Sequence, residues 1–369
     1  MRLWEFAREM AEICRYTPLA AGRPLRWTII ANPTAGGFTI RSRWRRHEAA
    51  LKNVREKVEQ NPQRDDAGPS RTAREAEGLS GEWGSRGLVP TRGPGHAETI
   101  VRALLDEAGA DRDASFYLLI TAGGDGTSRE ALIPLFEAPE ALRSRFAVLR
   151  LPMGTGNDGA DAGDLEKALE LLAYPTRVER IRAVRLTTAK AGKGPFLAFN
   201  ILSVGLDAFV THMTNKMKGK FPGDSYKLWV DIASLLYDRL YRVGPLEVTA
   251  FDGTGRVAAS FRESLLLLAV GASGQRTYGS HKRILPDDRN VCAVKQMPLL
   301  RKVALKGLFT TGGHVDKPES ILFNAERVEF RGEYPILAQM DGEAVLLTPD
   351  DFPAVIELTE PSIPILKRT

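Results

Sequence analysis

The sequence predicts an α/β domain with a doubly wound sheet, followed by a second domain built as a β-sandwich. Three observations predict this. Apolar, strand-like runs alternate with helix-like runs over the first part of the chain, the pattern of a parallel sheet covered on both faces. Three of those runs end in corners rich in Gly, Asn, Asp and Thr. Beyond about residue 177 the texture changes to short strands split by turns, with little helix. A chain of 369 residues also exceeds what one core usually organises, so two domains are the default. We place them at 25–165 and 166–354.

The elements follow in order. "LWEFAREMAEI" near the N-terminus has the spacing of an amphipathic helix, and either packs on the protein itself or lies on a membrane surface. "LRWTIIA" (25–31) reads as a strand ending in "NPTAGG", followed by a basic helical run to about Gln60. Residues 61–90 begin as a polar stretch rich in Gly, Ser, Pro and charge, read as a long surface loop. A short strand, a turn and a helix follow in "GLVPTRGPGHAETIVRALLDEAGA". "SFYLLITAGGDGT" is a buried strand running into glycines, and "SREALIPLFEA" is a helix. "FAVLRLPMGTGNDGA" repeats strand and corner, and "DLEKALELLAY" is an amphipathic helix. In the second domain, "RIRAVRLTTA", "GPFLAFNILSVG", "PLEVTAFDG", "RESLLLLAVGA", "NVCAVKQMP", "ERVEFRGEYPILAQMDGEAVLLTP" and "AVIELTEPSI" read as strands. One helix, "SYKLWVDIASLLYDRLYR", interrupts them.

Composition narrows the function classes. No apolar run approaches the roughly 18 residues of a membrane helix, and the N-terminal segment lacks the apolar stretch of a secretory signal. Cys14 and Cys292 are the only cysteines, so there is no disulfide framework and no zinc spacing, as expected in a reducing cytoplasm. The net charge of +5 concentrates in 41–57, 177–185 and 212–220, patches that suit anionic lipid or phosphorylated ligands or are simply solvated faces. No nucleic-acid-binding motif stands beside them, so no nucleic acid partner is expected.

The corners carry the chemistry. Without side chains, backbone N–H groups approach a phosphate closely, and the next helix N-terminus adds positive dipole. "NPTAGG" (32–37), "GGDGT" (123–127) and "GTGND" (154–158) meet that description, yet none is a Walker loop or a dinucleotide fingerprint. With Gly at about 7% of residues, the pentamer GGDGT arises by chance at roughly one position in a million. Asp125, a carboxylate among phosphate-binding turns, is best explained by a divalent cation such as Mg²⁺ between it and the phosphates, contacted directly or through water. Thr127 and Thr155 can donate hydroxyl hydrogen bonds to phosphate oxygens.

"NPTAGG", "GGDGTSRE" and "PMGTGND" together resemble the diacylglycerol kinase catalytic-domain family, which includes bacterial lipid kinases and sphingosine kinases and shares a superfamily plan with NAD kinases. The resemblance continues through "FNILSVGLDAFV", "YGSHKRILPD" and "MDGEAV". It implies a nucleotide-binding α/β domain, a β-sandwich lipid domain with the active site in the cleft between them, and a chain end (355–369) that returns to the first domain. It implies transfer of the ATP γ-phosphoryl group, with Mg²⁺, to a lipid hydroxyl, by a cytoplasmic protein lying peripherally on the inner membrane face. For nucleotide binding it points to Asn32, Pro33, Thr34, Ala35, Gly36, Thr91, Gly123, Gly124, Asp125, Gly126, Thr127, Glu130, Gly154, Thr155, Asn157 and Asp158. Glu343 matches the glutamate proposed as catalytic base, and Asp125 is the second catalytic candidate. A homodimer is left open. Three features depart from the family. "LPDDRNVCAV" lacks the Asp-Gly pair of a structural metal site and leaves Asp287 and Asp288 in its place. Gly159 stands where a bulky apolar residue is usual, and the 61–90 loop is long.

Two other readings stay open at this point. An NAD kinase shares the GGDGT-type loop but lacks "GTGND" in this form. A catalytically inactive lipid-binding protein would account for the missing Asp-Gly pair, though not for the retention of Asp125, Thr127, Asp158 and Glu343.

Overall fold

A computed structural model describes residues 2–15, 17, 19, 24–60, 71–72, 87–154, 156–174, 176–217, 237–279 and 282–368. The chain divides into two compact units, Met1–Ile181 with Pro361–Thr369, and Arg182–Glu360.

The first unit begins with α1 (Arg2–Arg15), β1 (Leu25–Ala31), α2 (Gly36–Thr39) and α3 (Arg41–Glu59). It continues with β2 (Arg71–Thr72), β3 (Leu88–Pro90), α4 (His96–Ala110), β4 (Phe116–Gly123) and α5 (Asp125–Glu137). Then come α6 (Glu140–Arg143), β5 (Phe146–Pro152), α7 (Leu165–Ala173) and β6 (Thr176–Ile181). β1 lies parallel to β2, β3 and β4, and β4 parallel to β5. The closing strand of the chain, Ile363–Arg368, pairs parallel with β5 and antiparallel with β6. Alternate residues of β1, β4 and β5 (Trp27, Ile29, Ala31; Leu118, Ile120, Ala122; Ala147, Leu149, Leu151) face one core with α1, α3 and α7. The intervening Ile30, Leu119 and Val148 are equally buried, and the Thr121–Ser128 hydroxyl bond fixes α5 on that opposite face. Burial on both faces is why these strands read as unbroken apolar runs.

The boundary lies later than the expected residue 165. The Thr176–Ile181 run pairs residue for residue with the closing strand, so it belongs to the first sheet. The reading "RIRAVRLTTA" therefore spans two strands in two units. The N-terminal helix forms as expected, and Phe6, Met10, Ile13 and Cys14 are buried in the first core. Its apolar face is spent on the protein itself and is not a free membrane surface. The expected loop at 61–90 lies outside the described residues except for 71–72 and 87–90, which pair with β1.

The second unit contains β7 (Val184–Thr187), β8 (Phe196–Ala198), β9 (Ile201–Gly205), α8 (Leu206–Met217) and α9 (Tyr237–Leu240). Next are β10 (Pro245–Phe251), β11 (Val257–Gly271), β12 (Arg276–Tyr278), β13 (Lys282–Leu285) and β14 (Val291–Lys295). α10 (Leu299–Lys306), α11 (Leu308–Thr311), β15 (Ser320–Phe323), β16 (Arg327–Gly332), β17 (Ile336–Met340), β18 (Glu343–Leu347) and β19 (Ala354–Leu358) complete it. The closing strand is β20. The strands form an 11-stranded sheet in the order β18-β17-β9-β11-β10-β16-β19-β7-β8, with β14 and β15 branching from β11. β11 is the shared strand: its first half pairs with β10 and its second with β9 and β14. Its Leu265, Leu268 and Val270 face one core, while Leu266, Leu267 and Ala269 face another under α8, α9 and α10. Helices α8 and α10 were not expected. Most of the helix expected at 225–242 lies outside the described residues, which resolve it only at Tyr237–Leu240.

Candidate functional site

The three corners sit at the carboxyl ends of β1, β4 and β5, adjacent strands of one parallel sheet. Ligands bind open α/β sheets at that edge. The corners also touch. The Asn32 N–H donates to the Ala122 carbonyl at 2.9 Å, and the Gly37 N–H to the Met153 carbonyl at 2.8 Å. A Cβ on Gly154 would fall 2.4 Å from the Gly124 Cα, so the second and third corners are in backbone contact that only glycine permits. Within the first corner, the Asn32 carboxamide oxygen accepts from the Thr34 N–H at 3.0 Å and its hydroxyl at 2.8 Å. Asn32 Nδ2 reaches Thr127 Oγ1 at 3.5 Å. Pro33, Ala35 and Gly36 complete that turn, and Gly36 opens α2.

Asp125 opens α5 behind Gly124, which caps the helix without a side-chain hydrogen bond. The first turn of a helix carries N–H groups with no intrahelical partner. With Gly123, Gly126 and Thr127 they form the second corner. Asp125 Oδ1 accepts from the Gly159 N–H at 2.8 Å and Oδ2 from the Asp158 N–H at 3.4 Å. Asp125 is thus the clamp that holds the third corner against the second. That gives Gly159, a departure at the sequence level, a definite place. A Cβ on Gly156 would lie 3.2 Å from carboxylate oxygens of both Asp125 and Asp158. Two hard-oxygen donors flanking an open glycine fit the chemistry of a Mg²⁺ held mainly by phosphate and water. Asn157 adopts φ 58° and donates to the Pro152 carbonyl at 3.1 Å. Thr155 lies outside the described residues.

Thr91 follows β3 and donates its N–H to the Ala31 carbonyl at 2.8 Å, which brings it to the same edge. Glu130 accepts from the Ala97 N–H at 3.3 Å, at the start of α4. Sequence reasoning missed two supports. Arg43, at the start of α3, donates to the Gly154 carbonyl at 3.2 Å. The Arg150 guanidinium and backbone N–H both bind the Asp161 carboxylate, at 2.7 Å, in a buried pair that straps the third corner to β5. The basic run 41–57 was visible in sequence, but nothing marked Arg43 among its neighbours.

In the second unit, Glu343 is the first residue of β18, exposed, after a two-residue hairpin turn. Asp341 and Gly342 take φ 46° and 99°, the positive pair of a type I′ turn. Asp341 itself is buried, and its carboxylate accepts from the backbone N–H of Phe199 and from those of Asn200 and Ile201, the latter two at 3.1 Å. Gln339, fully buried, donates to Ser203 Oγ at 2.8 Å and accepts from the Gly342 N–H at 3.2 Å. Asn215 of α8 donates to the Gly342 carbonyl at 2.8 Å. The turn that carries Glu343 is therefore fixed from three sides.

Asp287 is held by Arg289 and Asp288 by Gln275 at 2.6 Å. Among the described residues no group of three or more His, Cys, Asp or Glu could hold a metal. Cys14 and Cys292 are buried and unbridged. Burial pushes both thiols up, that of Cys292 to about 12. In the 177–185 patch, Arg177, Arg180, Arg182 and Arg185 pair with Glu179, Glu140, Glu326 and Glu357. That patch is a neutralised face.

A parallel sheet with three glycine corners converging on a helix start is an arrangement suited to binding phosphate, and the comparisons point to one group of such proteins. Residues 26–189 match the diacylglycerol kinase catalytic domain, as the three motifs implied. The chain is 27% identical over 235 residues, 62% of its length and 72% of the relative's, to a "Probable lipid kinase YegS-like" of Xanthomonas euvesicatoria pv. vesicatoria. It is 26% identical over 261 residues, 66% of its length and 79% of the relative's, to the protein of the same name from Xanthomonas oryzae pv. oryzae. In fold it is similar to a diacylglycerol kinase of Bacillus anthracis, at a TM-score of 0.51 and 16% identity, with 93% of this chain and 96% of that one covered. A further solved structure from the same bacterium reaches a TM-score of 0.55 at 18% identity, covering 93% of this chain and 97% of that one. These findings make the chain similar to kinases of the diacylglycerol kinase type, in sequence over its first half and in fold over most of its length. No described helix is long and apolar enough to cross a membrane.

Proposed function

We propose that this protein is an ATP-dependent lipid kinase that transfers the γ-phosphoryl group to the hydroxyl of a diacylglycerol-like lipid. The observation that carries the reading is the convergence of the three corners at one sheet edge, with Gly154 against Gly124 and both oxygens of Asp125 bound by the third corner. Phosphoryl transfer is mostly positioning and charge neutralisation, so a rigid backbone cradle is the main requirement. The N–H groups of the corners and the first turn of α5 hold the phosphates, and Asn32 keeps Thr34 and Thr127 in place. Asp125 and Asp158 are the residues that would hold Mg²⁺, which neutralises phosphate charge when bound. Glu343 takes the proton from the attacking lipid hydroxyl, and Asp341 keeps the Glu343 turn in a single conformation. The membrane is the source of the lipid, met peripherally.

The test is transfer from radiolabelled ATP to a panel of lipid alcohols in neutral detergent micelles, with NAD as a control acceptor. We expect a labelled lipid, no labelled NAD, and a loss of roughly 10²- to 10⁴-fold in kcat for Glu343→Gln. An unlabelled panel rejects the lipid kinase reading, and an unimpaired Glu343→Gln enzyme rejects the base.

A further inference from the structure

The three corners hold two carboxylates, Asp125 and Asp158, but no lysine or arginine. Backbone dipoles and a divalent cation offset part of the charge of a phosphate chain, yet phosphoryl-transfer sites also set a lysine or arginine against it. Such a cation must here come from outside the corners. Arg43, the third residue of α3, reaches them: it donates from Nη1 to the Gly154 carbonyl at 3.2 Å. It is half-buried, and among the described residues it forms no ion pair with a carboxylate.

Its surroundings set Arg43 apart from an ordinary arginine of this unit. Arg26, Arg145 and Arg150 each meet an aspartate or glutamate. Among the described residues Arg43 meets only a backbone carbonyl, which takes one of the several N–H groups that a guanidinium carries. Nor is its charge cancelled along the helix. The first turn of α3 holds Arg41 and Arg43 and no acidic residue, at the helix end where cations are least favoured. His47, one turn further on, feels that field: burial first, then Arg46 and Arg43, bring its pKa down to about 4. Propping the Gly154 carbonyl needs a donor but no charge, so the support described above does not account for the guanidinium. An anion held at the corner does, and a guanidinium fork matches the oxygens of a phosphate. We propose that Arg43 is a phosphate ligand of the nucleotide site, clamping the triphosphate of the donor with the N–H groups that Gly154 leaves free. This rests on the nucleotide half of the proposed function and not on its lipid half.

The test is calorimetric titration of ATP with Mg²⁺ into the full chain, without lipid, at about 50 mM and about 500 mM NaCl. The wild type is compared with Arg43→Gln and Arg43→Lys. At low salt we expect Arg43→Gln to bind ATP about tenfold more weakly or worse, and Arg43→Lys, which keeps the charge but loses the fork, to fall between the two. At high salt the gap between wild type and Arg43→Gln should narrow by about threefold or more, because a contact between charges is screened and a packing contact is not. Melting curves of the three proteins should nearly coincide. Equal ATP affinity of Arg43→Gln and the wild type overturns the proposal, as does an Arg43→Lys that binds no tighter than Arg43→Gln. A gap of the same size at both salts overturns it too, because Arg43 then only props Gly154. A wild type that binds no ATP sinks the nucleotide reading and this proposal with it. ATP binding without lipid labelling in the micelle assay sinks the acceptor alone and leaves Arg43 to be judged by the titration.

Discussion

Asp341 shows how much one buried carboxylate can organise. By sequence "DGE" is an ordinary hairpin turn, and the type I′ geometry agrees. What the sequence could not show is that the aspartate turns inward onto three consecutive amides where β8 passes into β9, some 140 positions away. Hydrogen bonds to a charged group are worth about 1.5–3 kcal/mol, so Asp341→Asn should lower the stability of the second unit by that order. It should also reduce kcat while leaving KM for ATP near wild type, because the cradle belongs to the other unit; steady-state kinetics beside a thermal melt check both. His47 on α3 gives a pH signature. Burial first, then the nearby Arg46 and Arg43, push its pKa down to about 4, against about 6.5 in an unfolded chain. Below pH 6.5 the unfolded state therefore binds a proton that the folded state refuses. Stability is intact above 6.5, declines as pH falls toward 4, and is flat in this respect below it. For a partly exposed group we expect about 1–2 kcal/mol, read as the difference between wild type and His47→Gln in denaturant melts across that window.

Among the elements, the corners were the most legible part of the sequence. Their function is local: glycines and short polar residues at a strand end act where they stand in the chain. The supports were not legible, since Arg43 meets Gly154 over 111 positions and gave no local signal. Gly154→Ala tests the convergence directly. The added methyl would meet the Gly124 backbone at 2.4 Å and must push the two corners apart. We expect ATP affinity to fall by about tenfold or more while the melting temperature changes little, since the strain falls on a loop; nucleotide titration beside a melt decides. Amphipathic pattern alone also failed to say where a helix goes. α1 suited its own protein and a membrane alike and is buried in its own core, whereas α10 escaped notice because its polarity runs opposite to the usual rule.

For the whole molecule, the two-domain plan was readable and its boundary was not. The "TRVERI" run looks like a basic surface strand, and its burial pattern is largely exposed. Only its pairing with residues 363–368 assigns it to the first unit. β20 lies between β5 and β6, with Ile363, Ile365 and Leu366 fully buried. Deleting 361–369 should therefore cost the first unit its fold rather than a tail. The expected outcome is loss of soluble protein and of ATP binding, whereas removal of a mere appendage would leave both unchanged.

The position of β20 also sets an order of events at the ribosome. The sheet that carries the corners is begun first, yet its missing strand is translated only after every residue of the second unit. Until then β5 and β6 have no partner between them, and the nascent chain displays an apolar gap that invites wrong pairing. The sheet that carries the three corners is consequently finished last, so a folded second unit with an incomplete first one is the natural assembly intermediate.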